Sequence, residues 1–74
     1  MAKAFGAVVR EARKEKGFSQ EGFADHVGVH RTYMGLVERG KSVVTILTLW
    51  RISEGLGCKP SDLVSRTNDF LRTS

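Results

Sequence analysis

The sequence predicts an all-α fold, a compact bundle of five helices, and three observations carry that expectation. Apolar residues recur at helical spacing in successive segments. No segment alternates with the two-residue period of a strand over a useful length. The segments are separated by glycines, one proline and hydroxyl residues of the kinds that end or cap helices. At 74 residues, 41% hydrophobic and 27% charged, the chain is long enough for one core and too short for two. It is therefore expected to form a single domain over residues 1–74, with a core at about 3–66 and a short polar tail at 67–74.

In the first helix Phe5, Val8, Val9 and Ala12 fall at i, i+3, i+4 and i+7, with Arg10, Glu11, Lys14 and Glu15 facing away, until Gly17 ends it. Ser19 offers a capping oxygen to a second, short helix from Gln20 to Val27, which turns Phe23, Ala24 and Val27 inward and stops at Gly28. After Val29 and His30 a third helix runs from about Arg31 to Arg39 with Met34 and Val37 inward, closed by Gly40. Thr45 can cap a fourth, whose expected inward stripe is Ile46, Leu49, Ile52 and Leu56, ending between Gly55 and Gly57. Pro60 suits the first turn of a fifth, followed by Ser61, Asp62, Leu63 and Val64. The remaining tail is polar except for Phe70 and Leu71.

Composition narrows the functional classes. Twelve Lys and Arg against eight Asp and Glu give a formal charge of +4, which raises the local potential toward polyanions. The single cysteine, Cys58, rules out an intrachain disulfide and reads as a small buried hydrophobe, so a cytoplasmic location is expected. No apolar run approaches the length of a membrane span. His26, His30 and Cys58 lack the spacing of a nucleophile with its base, and no glycine-rich loop for phosphate is present, which argues against an enzyme. No cofactor, metal site or small-molecule ligand is expected.

The segment from Gln20 to Arg39 has the pattern of a helix-turn-helix. Phe23, Val27, Val29, Met34 and Val37 supply the apolar positions. Two helices crossing steeply need a small residue at the contact, here Ala24, and a left-handed backbone at the turn, here Gly28. Through SQEGFADHVGVHRTYMGLVERG, then TLWRISEGLG and PSDL, the chain resembles the phage repressor and Cro type of helix-turn-helix domain, the lambda-repressor-like fold, from Phe5 to Val64. Among small members it is most similar to restriction-modification controller proteins, through the HRTY opening of the third helix.

That resemblance implies a third helix lying in the major groove, with Arg31 and Thr32 on base edges. Gln20, His30, Tyr33, Arg39 and Lys41 match positions near the phosphates, with His30 alternatively capping the helix and Arg39 and Lys41 also favouring its dipole. Arg13 and Glu38 match a structural ion pair between the first and third helices. Two positions depart from the pattern. Leu36 cannot hydrogen-bond to a base, and the loop Lys41, Ser42, Val43, Val44 is poor in basic residues, so one copy should bind weakly.

Leu47 and Trp50 lie one turn apart on the side of the fourth helix that is usually polar. With Val43 and Phe70 they are expected to form a homodimer interface, the alternative being a tail that folds back over Trp50. The functional expectation is a sequence-specific regulator of transcription that binds double-stranded DNA as a homodimer on a roughly palindromic operator, in the setting of a restriction-modification operon. The alternative is an antitoxin-like protein that neutralises a protein partner and regulates itself through DNA.

Overall fold

The computed structural model describes residues 1–73. Those residues form α1 (Ala2–Glu15), α2 (Gln20–Val27), α3 (Arg31–Glu38), α4 (Ile46–Leu56) and α5 (Pro60–Thr73), with no strand among them. Each helix contributes one large side chain with no exposed surface: Val9, Phe23, Met34, Ile52 and Leu63. Burying a side chain of this size stabilises a fold by about 1.5–3 kcal/mol, so the five together are the centre on which all helices converge.

The caps behave as their chemistry dictates. Ser19 Oγ accepts from the Gly22 N–H at 3.0 Å, and Thr45 Oγ1 accepts from the Thr48 N–H at 3.1 Å. At the start of α5 the Asp62 carboxylate accepts from the Lys59 N–H at 3.0 Å. Each satisfies a backbone donor that the first helical turn leaves orphaned.

Two expectations need correction. Ile46 does not face the core and is 78% exposed. The inward arc of α4 is Leu49, Ile52, Ser53 and Leu56, and the buried Ser53 shifts its axis. Ser53 can be buried because its Oγ donates to the Trp50 carbonyl at 2.8 Å within the same helix. Ile46 then falls with Trp50, four residues on, along a neighbouring exposed stripe.

The second correction concerns the tail. Residues 67–73 are not an appendage but the last turns of α5; Ser74 lies outside the described residues. Thr67 is buried and returns its hydroxyl proton to the Leu63 carbonyl at 2.8 Å. Just before this stretch, Arg66 reaches Glu11 at 3.4 Å and Glu15 at 3.6 Å on α1. No glycine or proline follows Pro60 to stop the helix.

α1 and α3 approach closely at Gly6. A Cβ there would lie 2.7 Å from the Glu38 carbonyl oxygen and nearer still to that of Val37. Both are backbone atoms, which yield only if the C-terminal turn of α3 moves. Gly6→Ala is therefore expected to lower stability by about 1–3 kcal/mol despite alanine's better helix propensity. Thermal unfolding checks this: an unchanged or raised midpoint would show that the helices are not held this close.

Candidate nucleic-acid interface

α2 and α3 are joined by a turn centred on Gly28, whose φ of 79° is left-handed. The Gly28 and Val29 N–H groups both donate to the Ala24 carbonyl at 3.0 Å. Ala24 is fully buried at the crossing, and Met34 and Val37 fix the inner face of α3. The face opposite is left to solvent at its N-terminal end, where His30, Arg31 and Thr32 are exposed.

His30 is the N-cap of α3: its Nδ1 accepts from the Thr32 N–H at 3.1 Å. An imidazole that accepts at Nδ1 carries its proton on Nε2, which leaves a donor for any further contact. Tyr33 and Leu36 are half-buried, so Leu36 presents little surface outward. The Lys41 backbone N–H closes α3 by donating to the Leu36 carbonyl at 2.8 Å, and the Lys41 side chain is exposed just beyond.

Behind this surface a buried network ties three segments together. Arg13 Nε donates to Glu38 Oε2 at 2.7 Å and Nη2 donates to Oε1 at 2.9 Å. Its remaining terminal nitrogen donates to the Phe18 carbonyl at 2.9 Å. Gln20 Nε2 donates to Glu38 Oε1 at 3.1 Å. The hydrogen bonds it donates to the Glu38 carboxylate hold the Arg13 guanidinium above its ordinary pKa. A Cβ on Gly35 would sit 3.4 Å from Gln20 Oε1 and 3.6 Å from Arg39 Nη1. The structure thus brings Gln20 and Arg39 to one place, where the start of α2 meets the end of α3.

Arg31 has partners that sequence reasoning missed. Its Nη2 meets Asp25 Oδ2 at 3.0 Å and its Nη1 meets Glu21 Oε2 at 3.1 Å, both carboxylates coming from α2. The hydrogen bond to Asp25, then the charges of Asp25 and Glu21, push the arginine pKa up, and Arg31 in turn holds the Asp25 carboxyl below the usual carboxylate range.

Away from this surface, Val43, Ile46, Leu47 and Trp50 are exposed by 83%, 78%, 60% and 54%. Trp50 is therefore not covered by the end of α5. A groove of about 570 Å³ runs between this region and α5, lined by Phe5, Val43, Leu49, Val64 and Leu71 among others. Phe70 is exposed but does not line it; Val64 and Leu71 are the large apolar side chains that α5 supplies there. They lie a helical seven residues apart, whereas Phe70 is one position out of register. Cys58 is partly buried against the core, and desolvation first, then the Asp62 charge, pushes its thiol pKa up, as suits an unreactive packing residue.

A two-helix unit joined by a left-handed glycine turn, with one face locked into a core and a polar N-terminal turn exposed, defines a class. The helix-turn-helix family model matches residues 9–63, and the chain belongs to that family. It is 44% identical over 62 residues to control protein C.MunI of Mycoplasma sp, spanning 82% of this chain and 84% of that one. Over 64 residues it is 41% identical to control protein C.BamHI of Bacillus amyloliquefaciens, spanning 85% and 79% of the two. Its structure is similar to the crystal structure of the restriction-modification controller protein C.AhdI from Aeromonas hydrophila, with a TM-score of 0.81 and 37% identity, covering 84% of this chain and 94% of that one.

Proposed function

We propose that this chain is a DNA-binding transcriptional regulator of the restriction-modification control type, acting in the cytoplasm as a homodimer on a roughly palindromic operator. The observation that carries this reading is the exposed N-terminal turn of α3, held against α2 and the core so that Arg31 and Thr32 project from a rigid platform. Its likeness to control proteins along most of their length supports the biological setting.

In this reading Arg31 and Thr32 meet base edges in the major groove. Gln20, His30 through Nε2, Tyr33, Arg39 and Lys41 meet phosphates and set the register, without reading sequence. The apolar face of Leu47, Trp50 and Val43, with Ile46, joins two copies, so that two α3 helices enter successive major grooves about 34 Å apart. Phe70, exposed on α5, is assigned to the same interface.

Selection of bound duplexes from a random pool tests the proposal. The expected product is a pair of inverted half-sites separated by about one helical turn. Arg31→Ala should lower preference at one base pair by roughly 10- to 100-fold. Lys41→Ala, by contrast, should weaken all duplexes alike and flatten the salt dependence by about one unit of slope. Enrichment of no sequence would refute sequence-specific binding, and equal losses on selected and random DNA for Arg31→Ala would refute its base-reading role.

A further inference from the structure

The groove-facing arginine is held by acidic side chains, which is costly to place beside a polyanion and calls for a reason. Of the guanidinium's five N–H donors, three are taken: Nε by Asp25 Oδ1 at 3.4 Å, Nη2 by Asp25 Oδ2 at 3.0 Å, and Nη1 by Glu21 Oε2 at 3.1 Å. One N–H remains on each terminal nitrogen. Two donors are what the O6 and N7 acceptors of a guanine require. We propose that Asp25, assisted by Glu21, is a positioning residue that directs Arg31 to a base edge and away from the phosphates. The proposal rests on the DNA-reading role given to Arg31 above.

Orientation and charge both favour the base edge. A long, exposed arginine reaches phosphate or base, and a phosphate accepts it at almost any orientation. A carboxylate bound along the Nε and Nη2 edge narrows that freedom, so the terminal donors favour one orientation and less side-chain entropy is lost on meeting a base. The charges act in the same direction. One guanidinium with two carboxylates carries a net charge of −1, so the cluster gains nothing from a featureless phosphate backbone and gains only where base acceptors match its free donors.

Both acids lie on the exposed face of α2, and neither is buried, so Asp25→Asn and Glu21→Gln keep size and helix while removing charge. Exposed ion pairs bias a side chain by about 1.5- to 5-fold each. Binding of the selected operator, of the same duplex changed at the base pair read by Arg31, and of a random duplex is measured for wild type, the two single variants and the double variant. The double variant is expected to lower preference at that base pair by about 3- to 20-fold. Its affinity for random DNA should rise, with a salt slope steeper by about one unit as Arg31 turns to phosphate.

In an Arg31→Ala background the same acid substitutions should no longer alter base preference. Unchanged preference for the double variant, while Arg31→Ala abolishes it, would overturn the positioning role and leave the DNA-reading assignment standing. An equal effect with and without Arg31 would also overturn it, because the acids would then act through plain repulsion. If Arg31→Ala itself leaves preference intact, the DNA-reading assignment fails first and the proposal with it.

Discussion

Glu38→Gln is expected to destabilise the fold by about 3 kcal/mol or more. Arg13 and Glu38 have side chains only 8% and 2% exposed, and the guanidinium donates to both carboxylate oxygens and to the Phe18 carbonyl. An arginine cannot shed its charge when its partner is neutralised, so the variant leaves a cation buried with amide groups for company. Gln20 also loses the carboxylate oxygen to which it donates. In a domain of this size each kcal/mol moves the thermal midpoint by about 4–8 °C, so a fall of about 12 °C or more is expected by calorimetry or circular dichroism. Arg13→Met combined with Glu38→Leu should recover much of the loss, since two apolar side chains of similar volume carry no stranded charge. A midpoint for Glu38→Gln within about 2 °C of wild type would show that the pair is not a strut.

Trp50→Ala is expected to weaken self-association by about 30-fold or more, the scale of an interface hot spot. More than half of the Trp50 surface is open in the single chain, so its truncation should leave the fold nearly intact. Ile46 and Leu47 are exposed on the same helix as Trp50, and Val43 is exposed in the loop before it, a concentration of large apolar side chains that marks a candidate interface. If the proposed dimer is lost, the DNA contacts are halved, and operator affinity should fall far more than affinity for one half-site, because the second half-site would no longer be bound as an intramolecular event. Sedimentation equilibrium decides the matter: a folded Trp50→Ala protein that keeps the wild-type mass would end the assignment of this face. Adding Leu47→Glu to the same protein tests the patch as a unit.

Local signals carried most of the architecture. Ser19, Gly28, Thr45 and Pro60 sit at helix boundaries for reasons that involve only their own backbones, so the five helices were legible without tertiary knowledge. The inward residues of α1 to α3 followed from periodicity, and the Arg13–Glu38 pair from resemblance to a known fold.

What escaped was set by contacts between elements. The face that Ile46 takes depends on a buried serine satisfied within its own helix, which a hydrophobic pattern reads as polar. α5 runs on to Thr73, and its Arg66 meets Glu11 and Glu15 of α1, a contact between helices that no local pattern announces. Arg31 meets Asp25 and Glu21 only because the turn at Gly28 brings the exposed side of α2 beside the first residue of α3, and no spacing in the sequence encodes that approach.

The bond from Arg13 to the Phe18 carbonyl extends the significance of the buried network. Arg13 lies outside the helix-turn-helix in sequence, yet it grips the loop that leads into α2 and the last residue of α3 at once. The motif recognised as a unit in the chain is thus not a unit of folding. α1 is the splint that braces the two motif helices, and a fragment limited to residues 19–39 would keep the residues proposed to read DNA while losing the support that aims them.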